Sequence, residues 1–167
     1  EDGVIDEDDE TNNDTVTTTQ ITVTQPIIDL SADSIDLSNV SFVAAGSSLT
    51  FTRTVTNMGS DPSGSFTIRA YLSTNNVISQ FDTLVDDFTF TSGLAAGASD
   101  TSTVSVTLPP SIANGAYYVG FILDEADSVP EIDETNNSIA SGNTINVYLP
   151  SQGIDLTADM LTLSSYA

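Results

Sequence analysis

Apolar residues in this chain recur at every second position over short runs, and clusters of Gly, Pro, Asn and Asp cut the runs apart. A period of two places alternate side chains on one buried face, which is the signature of half-buried strands. The first strand region, Ile27–Val43, is interrupted and ends at Ala45-Gly46. Leu49-Thr-Phe-Thr-Arg-Thr-Val-Thr56 alternates strictly and runs into the turn Asn57-Met-Gly-Ser-Asp-Pro62. Phe66, Ile68, Ala70 and Leu72 form the apolar face of a third strand, and Ser73–Asp82 reads as a polar loop. Shorter strand material follows over Thr83–Thr91. Leu94-Ala-Ala-Gly97 then turns the chain into Ser102–Leu108, with Val104, Val106 and Leu108 inward, and Pro109-Pro110 stops that strand. Tyr117–Asp124 carries bulky residues on both faces and is expected at the centre of a sheet. Ile139–Tyr148 is expected to close the domain. Helix-period runs are missing, so the pattern predicts an all-β sandwich.

Arg53 breaks the pattern. It follows Leu49 and Phe51 on the core face, where a lone guanidinium is costly. A bulge, an edge position from which the head escapes, or a buried pair with a loop carboxylate would each explain it.

The chain also echoes itself. Asp9-Glu-Thr-Asn-Asn13 recurs as Asp133-Glu-Thr-Asn-Asn137, and with the same spacing Ile21-Thr-Val23 falls on Ile145-Asn-Val147 and Pro26 on Pro150. Ile28-Asp-Leu-Ser-Ala-Asp33 recurs as Ile154-Asp-Leu-Thr-Ala-Asp159, at a slightly wider spacing. A tandem array is therefore expected. Residues 1–25 would be the last loop and strand (Thr15–Thr24) of a preceding copy, 26–148 one complete domain, and 149–167 a linker and the first strand of the next copy. Neither end should add a strand to the 27–148 domain. Each should complete a neighbouring copy, in the same chain or head to tail between chains.

Composition narrows the function. The 167 residues carry 24 acids against Arg53 and Arg69, a net charge of −22. Nucleic acid and anionic membrane surfaces would repel such a chain. Cys, Lys, His and Trp are all absent. Disulfides, thiolate metal sites and common nucleophile–base pairs are thus excluded. Two carboxylates alone can hydrolyse a glycoside, but the candidates crowd into one loop without aromatic neighbours, so the chain is not expected to be an enzyme. No apolar run is long enough to span a bilayer.

That loop, 124–137, is the chemical centre of the sequence, with six carboxylates and two side-chain amides. Calcium takes roughly six to eight oxygen ligands, and carboxylates with Asn carbonyls supply them. Asp124, Asp127, Glu131, Asp133, Glu134 and Asn136 are the candidate ligands around one ion, with Asp29 brought close by the first strand. Asp2, Glu7, Asp9, Glu10 and Asn12 correspond in the preceding copy. The spacing is not that of an EF-hand, and a solvated acidic turn would use the same residues. Asp61 should lie near the same loop, at an end that faces the preceding copy. The polar loop 73–82 belongs to the opposite end.

The order of motifs resembles the CARDB family, cell-adhesion-related domains of bacterial and archaeal surface proteins. The matching pieces are Ile28-Asp-Leu, Ala44-Ala-Gly-Ser-Ser-Leu-Thr-Phe-Thr, Thr-Asn-Met-Gly59, Arg69-Ala-Tyr-Leu-Ser-Thr74, Gly93-Leu-Ala-Ala-Gly97, Gly115-Ala-Tyr-Tyr118 and Val129-Pro-Glu-Ile-Asp-Glu-Thr-Asn-Asn137. Arg53 departs from the aliphatic residue of the family. The resemblance implies an immunoglobulin-like antiparallel sandwich of about seven strands in a long extracellular or surface-anchored protein. The expected function is a non-catalytic structural or adhesive repeat of a surface filament, stiffened by calcium near the junctions between copies. A carbohydrate-binding module is the alternative, resting on Tyr71 as an exposed aromatic and on the Tyr117-Tyr118 pair.

Overall fold

The computed structural model describes residues 19–150. Its strands are β1 (Leu30–Asp36), β2 (Phe42–Ala44), β3 (Ser48–Asn57), β4 (Phe66–Ser73), β5 (Thr83–Phe90), β6 (Ser99–Thr107), β7 (Gly115–Leu123), β8 (Ser138–Ala140) and β9 (Ile145–Tyr148), with no helix among the described residues. One sheet has the order β1-β3-β6. The other runs β2-β9-β7-β4-β5, and β8 also pairs with β7. The fold is all-β, as the alternation predicts.

β3 connects pattern to packing most directly. Leu49, Phe51 and Val55 are at most 1 % exposed. Leu49 and Phe51 share a core with Leu72 of β4, Val119 of β7 and Ile145 and Val147 of β9. Burying each such side chain contributes about 1.5–3 kcal/mol. The opposite face of β3 is a row of hydroxyls. Thr50, Thr52, Thr54 and Thr56 meet Ser105, Thr103, Thr101 and Ser99 of β6. Cross-strand Thr/Ser pairs of this kind stabilise a sheet face exposed to water. A second apolar cluster lies toward the end where the chain arrives, and includes Ile28, Leu30, Val55, Phe66, Phe121, Leu123 and Val129. β7 is central, between β4 on one side and β8 and β9 on the other.

Among the described residues nine strands form where about seven were expected, because the interrupted first region yields two strands and the last predicted strand is broken. Ile139–Tyr148 splits into β8 and β9, which lie end to end along the same side of β7. Between them Ser141 takes over the ladder: its hydroxyl accepts from Val119 N at 3.1 Å and donates to Asn143 O at 2.7 Å. The first region splits at Ser38-Asn39, both with positive φ, where the chain leaves the first sheet for the far edge of the second. There β2 runs parallel to β9, so the second sheet is mixed and not purely antiparallel.

Of the expected strand Thr15–Thr24, residues 19–24 are described, without a neighbouring copy to pair with. Residues 19–29 lie in no strand, and Ile21 and Val23 are 79 % and 90 % exposed. The slot their counterparts Ile145 and Val147 fill is already taken by β9. Residues 15–18, the acids at 2–12 and the echo at 154–165 lie outside the described residues.

Candidate functional site

The chain arrives at Ile27–Asp29 between two loops, and both bond to it. On one side Met58 N donates to Asp29 O at 2.6 Å and Asp61 N to Ile27 O at 3.0 Å. The Asp61 carboxylate accepts from Ile27 N at 2.9 Å. On the other side Ile132 N donates to Ile28 O at 2.9 Å and Ala32 N to Asn136 O at 3.0 Å. We call this end of the domain the N-pole. Gly59 is required here, because a Cβ would stand 2.2 Å from Ile27 O. Asn57, fully buried, pins the pole together. Its amide donates to Asp61 O at 2.8 Å and Leu94 O at 3.1 Å, and its carbonyl accepts from Gly59 N at 3.0 Å.

The acidic loop opens with a tight turn. Asp124 and Asp127 both have positive φ, and Asp127 N donates to Asp124 O at 2.8 Å. The buried Asp124 carboxylate accepts from Val129 N at 2.6 Å, so one candidate ligand holds the loop's own backbone. Asp133 does the same, accepting from the Thr135 amide at 2.8 Å and hydroxyl at 2.6 Å, which hold its carboxyl below the usual range. Glu131 turns inward. It accepts from Leu30 N and, at 3.0 Å, from the Asn137 amide. The same amide donates to Glu134 at 3.1 Å, so one amide is shared by two carboxylates. Burial pushes the Glu131 carboxyl up to about 7, despite the bonds from Leu30 and Asn137, and Glu134 and Asp124 add to the rise. Glu134 is raised as well, by burial and by Asp127 and Asp124.

The predicted ligands therefore do not form one ring. Among the described residues no group of three or more carboxylates is arranged to hold a metal ion. The backbone amides of the loop have drawn the acids onto separate donors. Asp124, Asp127 and Glu134 do line one cleft, together with Glu125 and Asn137. Asp29 and Asn136 lie apart from it, joined by a 2.8 Å bond from the Asn136 amide to the Asp29 carboxylate. Asp133 stands outside both groups.

Two atoms in this region lack partners: the carbonyl oxygens of Asn136 and Asn137 are buried with no hydrogen bond. Such orphaned acceptors are rare in folded proteins. Asn137 was not among the expected ligands. It is buried because its backbone carbonyl receives Leu123 N at 2.8 Å just before β8, which turns the side chain into the loop. Nothing in the order Asn-Asn separates it from Asn136. Asn57 carries a better signal, since it ends the alternating face Leu49, Phe51, Arg53, Val55 with a polar residue.

Glu125, on the same cleft, is drawn to a cation. Arg69 Nη1 lies 2.6 Å from it and the Tyr71 hydroxyl donates to it at 2.8 Å, while Arg69 Nε reaches Asp87 at 3.2 Å. Burial first and Glu125 second push Tyr71 up to about 12. Tyr71 is thus buried, contrary to the expectation of an exposed aromatic, and so is Tyr117, whose hydroxyl donates to Ala113 O. The polar loop 73–82 uses its own side chains for turns, with Asp82 accepting from Ser79 and Asn75 from Val77 N.

Arg53 is resolved as a buried pair, with a strand carboxylate in place of a loop one. It contacts Asp100 of β6 at 3.4 Å and lies 5.9 Å from the Phe88 ring centroid. Ser102 donates to the same Asp100 oxygen at 2.7 Å. Burial lowers the Arg53 guanidinium from its ordinary value, with Asp100 and Asp86 opposing.

The CARDB family model matches residues 27–141, and the chain belongs to that family. Among solved structures it is similar to a CARDB domain from Pyrococcus furiosus determined in complex with di-metal ions. That likeness has 21 % identity and a TM-score of 0.53, covering 77 % of this chain and 100 % of the other. It is also similar to a domain assigned to a cell surface protein of Methanosarcina acetivorans, with 21 % identity and a TM-score of 0.51 over 76 % of this chain and 97 % of the other. No curated protein matches the chain.

Proposed function

We propose that this chain is a non-catalytic, immunoglobulin-like repeat of an extracellular surface protein, arranged in tandem and stiffened by calcium at the acidic loop of the N-pole. One observation carries the tandem reading. Ile145 and Val147 are 0 % and 3 % exposed in the core, whereas their sequence counterparts Ile21 and Val23 are 79 % and 90 % exposed. The same residues at the same spacing are core in one place and bare in the other. Ile21 and Val23 then belong to the core of a preceding copy. The family membership and the surface assignment of the Methanosarcina domain support the location.

The residues present fit a hard cation in part. The unpartnered Asn137 carbonyl, with Asp127 and Glu134 on the same cleft, offers the oxygen donors that calcium takes, and Glu131 stands behind them through the shared amide. A bound cation supplies the positive charge this cluster lacks. The di-metal complex of the Pyrococcus domain is consistent with such a site. Because the loop is bonded to Ile28, Asp29, Leu30 and Ala32, ordering it stiffens the segment by which one copy joins the next.

The test is a thermal melt in chelator and in millimolar calcium. Calcium raises the midpoint by mass action on the folded state, and Glu134→Ala removes most of the rise. An equal midpoint in both conditions speaks for a solvated acidic turn.

A further inference from the structure

We infer that consecutive copies of the repeat pack directly end to end, the N-pole of one copy seated on the opposite pole of the copy before it through an apolar contact made by Ile27, Met58 and Ile132. The inference rests on the tandem reading above and adds the surface by which the copies meet.

Three observations lead to it. The N-pole shows a trio of apolar side chains around the arriving chain: Ile27, Met58 and Ile132 are 47 %, 64 % and 65 % exposed. They are neighbours, because Met58 and Ile132 donate their amides to Asp29 and Ile28 on either side of the same segment. Large exposed apolar groups set in a charged rim mark a surface that something covers.

Charge is the second observation, and it identifies the occupant. The N-pole carries Asp29, Asp61 and the six acids of 124–134. The other pole is different. It gathers the turn 45–47, the loop 74–82, the connection 108–114 and the exit at Leu149, whose amide donates to the Asn114 side chain at 2.6 Å. Those segments contain one charged residue, Asp82, which is bonded to Ser79, against eight acids at the N-pole, and we call this end the neutral pole. They expose large apolar side chains: Val77 at 68 %, Phe81 at 91 % and Leu149 at 50 %. In a chain of net charge −22, two N-poles would repel each other. An N-pole against a neutral pole avoids that repulsion and covers apolar surface on both sides. The pairing is heterologous, so it propagates as an open array.

Reach is the third. Val23 stands where Val147 stands in the repeat, and Val147 pairs with Gly115 at the neutral end of β7. Between Val23 and Ile28, the first buried residue of this copy, lie only Thr24, Gln25, Pro26 and Ile27. At about 3.3–3.6 Å per extended residue, at most roughly 17 Å can separate the last core residue of one copy from the first of the next. The neutral pole of the preceding copy cannot be far from Met58 and Ile132.

The test compares one copy with two. Residues 27–148 form a domain whose β1 and β9 positions are filled by its own chain, so the single copy is a fair reference. The two-copy protein carries Thr24–Ile27 as the join. Its second copy melts several degrees above the single copy, and small-angle scattering shows one fixed elongated shape. Met58→Asp with Ile132→Asp in the second copy leaves the single-copy midpoint within about a degree, since both side chains are mostly exposed, but abolishes the rise and broadens the scattering profile. Copies that melt as the single copy does and scatter as a flexibly joined pair overturn the inference. The sequence flanking this chain tests the tandem reading separately: flanks without a further repeat defeat that reading whatever the two-copy protein does.

Discussion

The side-chain amide of Asn136 donates to the Asp29 carboxylate at 2.8 Å, tying the acidic loop to the strand by which the chain arrives. Backbone bonds hold the same two segments, so this side-chain pair adds stability that a mutant can read. Asp29→Ala removes the acceptor for a part-buried amide, at a cost of about 1–3 kcal/mol. Asn136→Ala costs about as much, and the double variant little more than either alone. Denaturant melts of the four proteins give the cycle; additive costs would show that the two groups do not act on each other.

Arg53 and Asp100 make the second prediction. The Arg53 side chain is 6 % exposed and Asp100 25 %. Desolvation of a buried ion pair can match or exceed its attraction, whereas breaking the pair leaves one charge stranded. Arg53→Met is therefore neutral or stabilising, and Asp100→Ala is destabilising by about 3 kcal/mol or more. Chemical denaturation decides it; a strongly destabilised Arg53→Met would mean that the guanidinium does more than fill a core position.

Glu131 predicts a pH dependence. Its carboxyl is raised from 4.5 to about 7 in the folded protein. The folded state holds that proton more tightly than the unfolded chain. Its contribution is fully present below about pH 4.5 and is lost as pH rises through about 7. In chelator the melting midpoint falls between pH 5 and pH 8, and Glu131→Gln reduces the fall. Since Glu131 is partly solvated, the change is a few degrees at most. A variant with the same slope as the wild type assigns the pH dependence to other acids.

The fold was readable from the sequence because period-two alternation is a direct consequence of burying one strand face. Leu49, Phe51 and Val55, or Phe66 and Ile68, have no other reading. The interruption of the first strand region was readable too, but the break between β8 and β9 was not. Ser141 takes a ladder position by side-chain bonding to Val119 N, and the sequence Ser-Gly-Asn gives no measure of whether a turn or a bulge results. Of the candidate site, the acidic loop was legible in the sequence and its arrangement was not. Six acids in one loop mark it, but which carboxylate faces a cleft depends on competition with backbone amides such as Val129 N and Leu30 N, which is a property of the folded loop. Tyr71 failed for a related reason: alternation sets it outward on β4, and the Arg69–Glu125 pair then covers it.

The central claim is that the N-pole loop binds calcium through Glu134, Asp127 and the carbonyl of Asn137. Calorimetric titration of calcium into the chelator-treated protein at pH 8, above the value of about 7 to which the Glu131 carboxyl is raised, tests it most directly. The account predicts a saturable isotherm that weakens at pH 6 as Glu131 takes up a proton, and that is lost in Glu134→Ala. A flat titration at pH 8 with a correctly folded protein, or an isotherm untouched by Glu134→Ala, would contradict it.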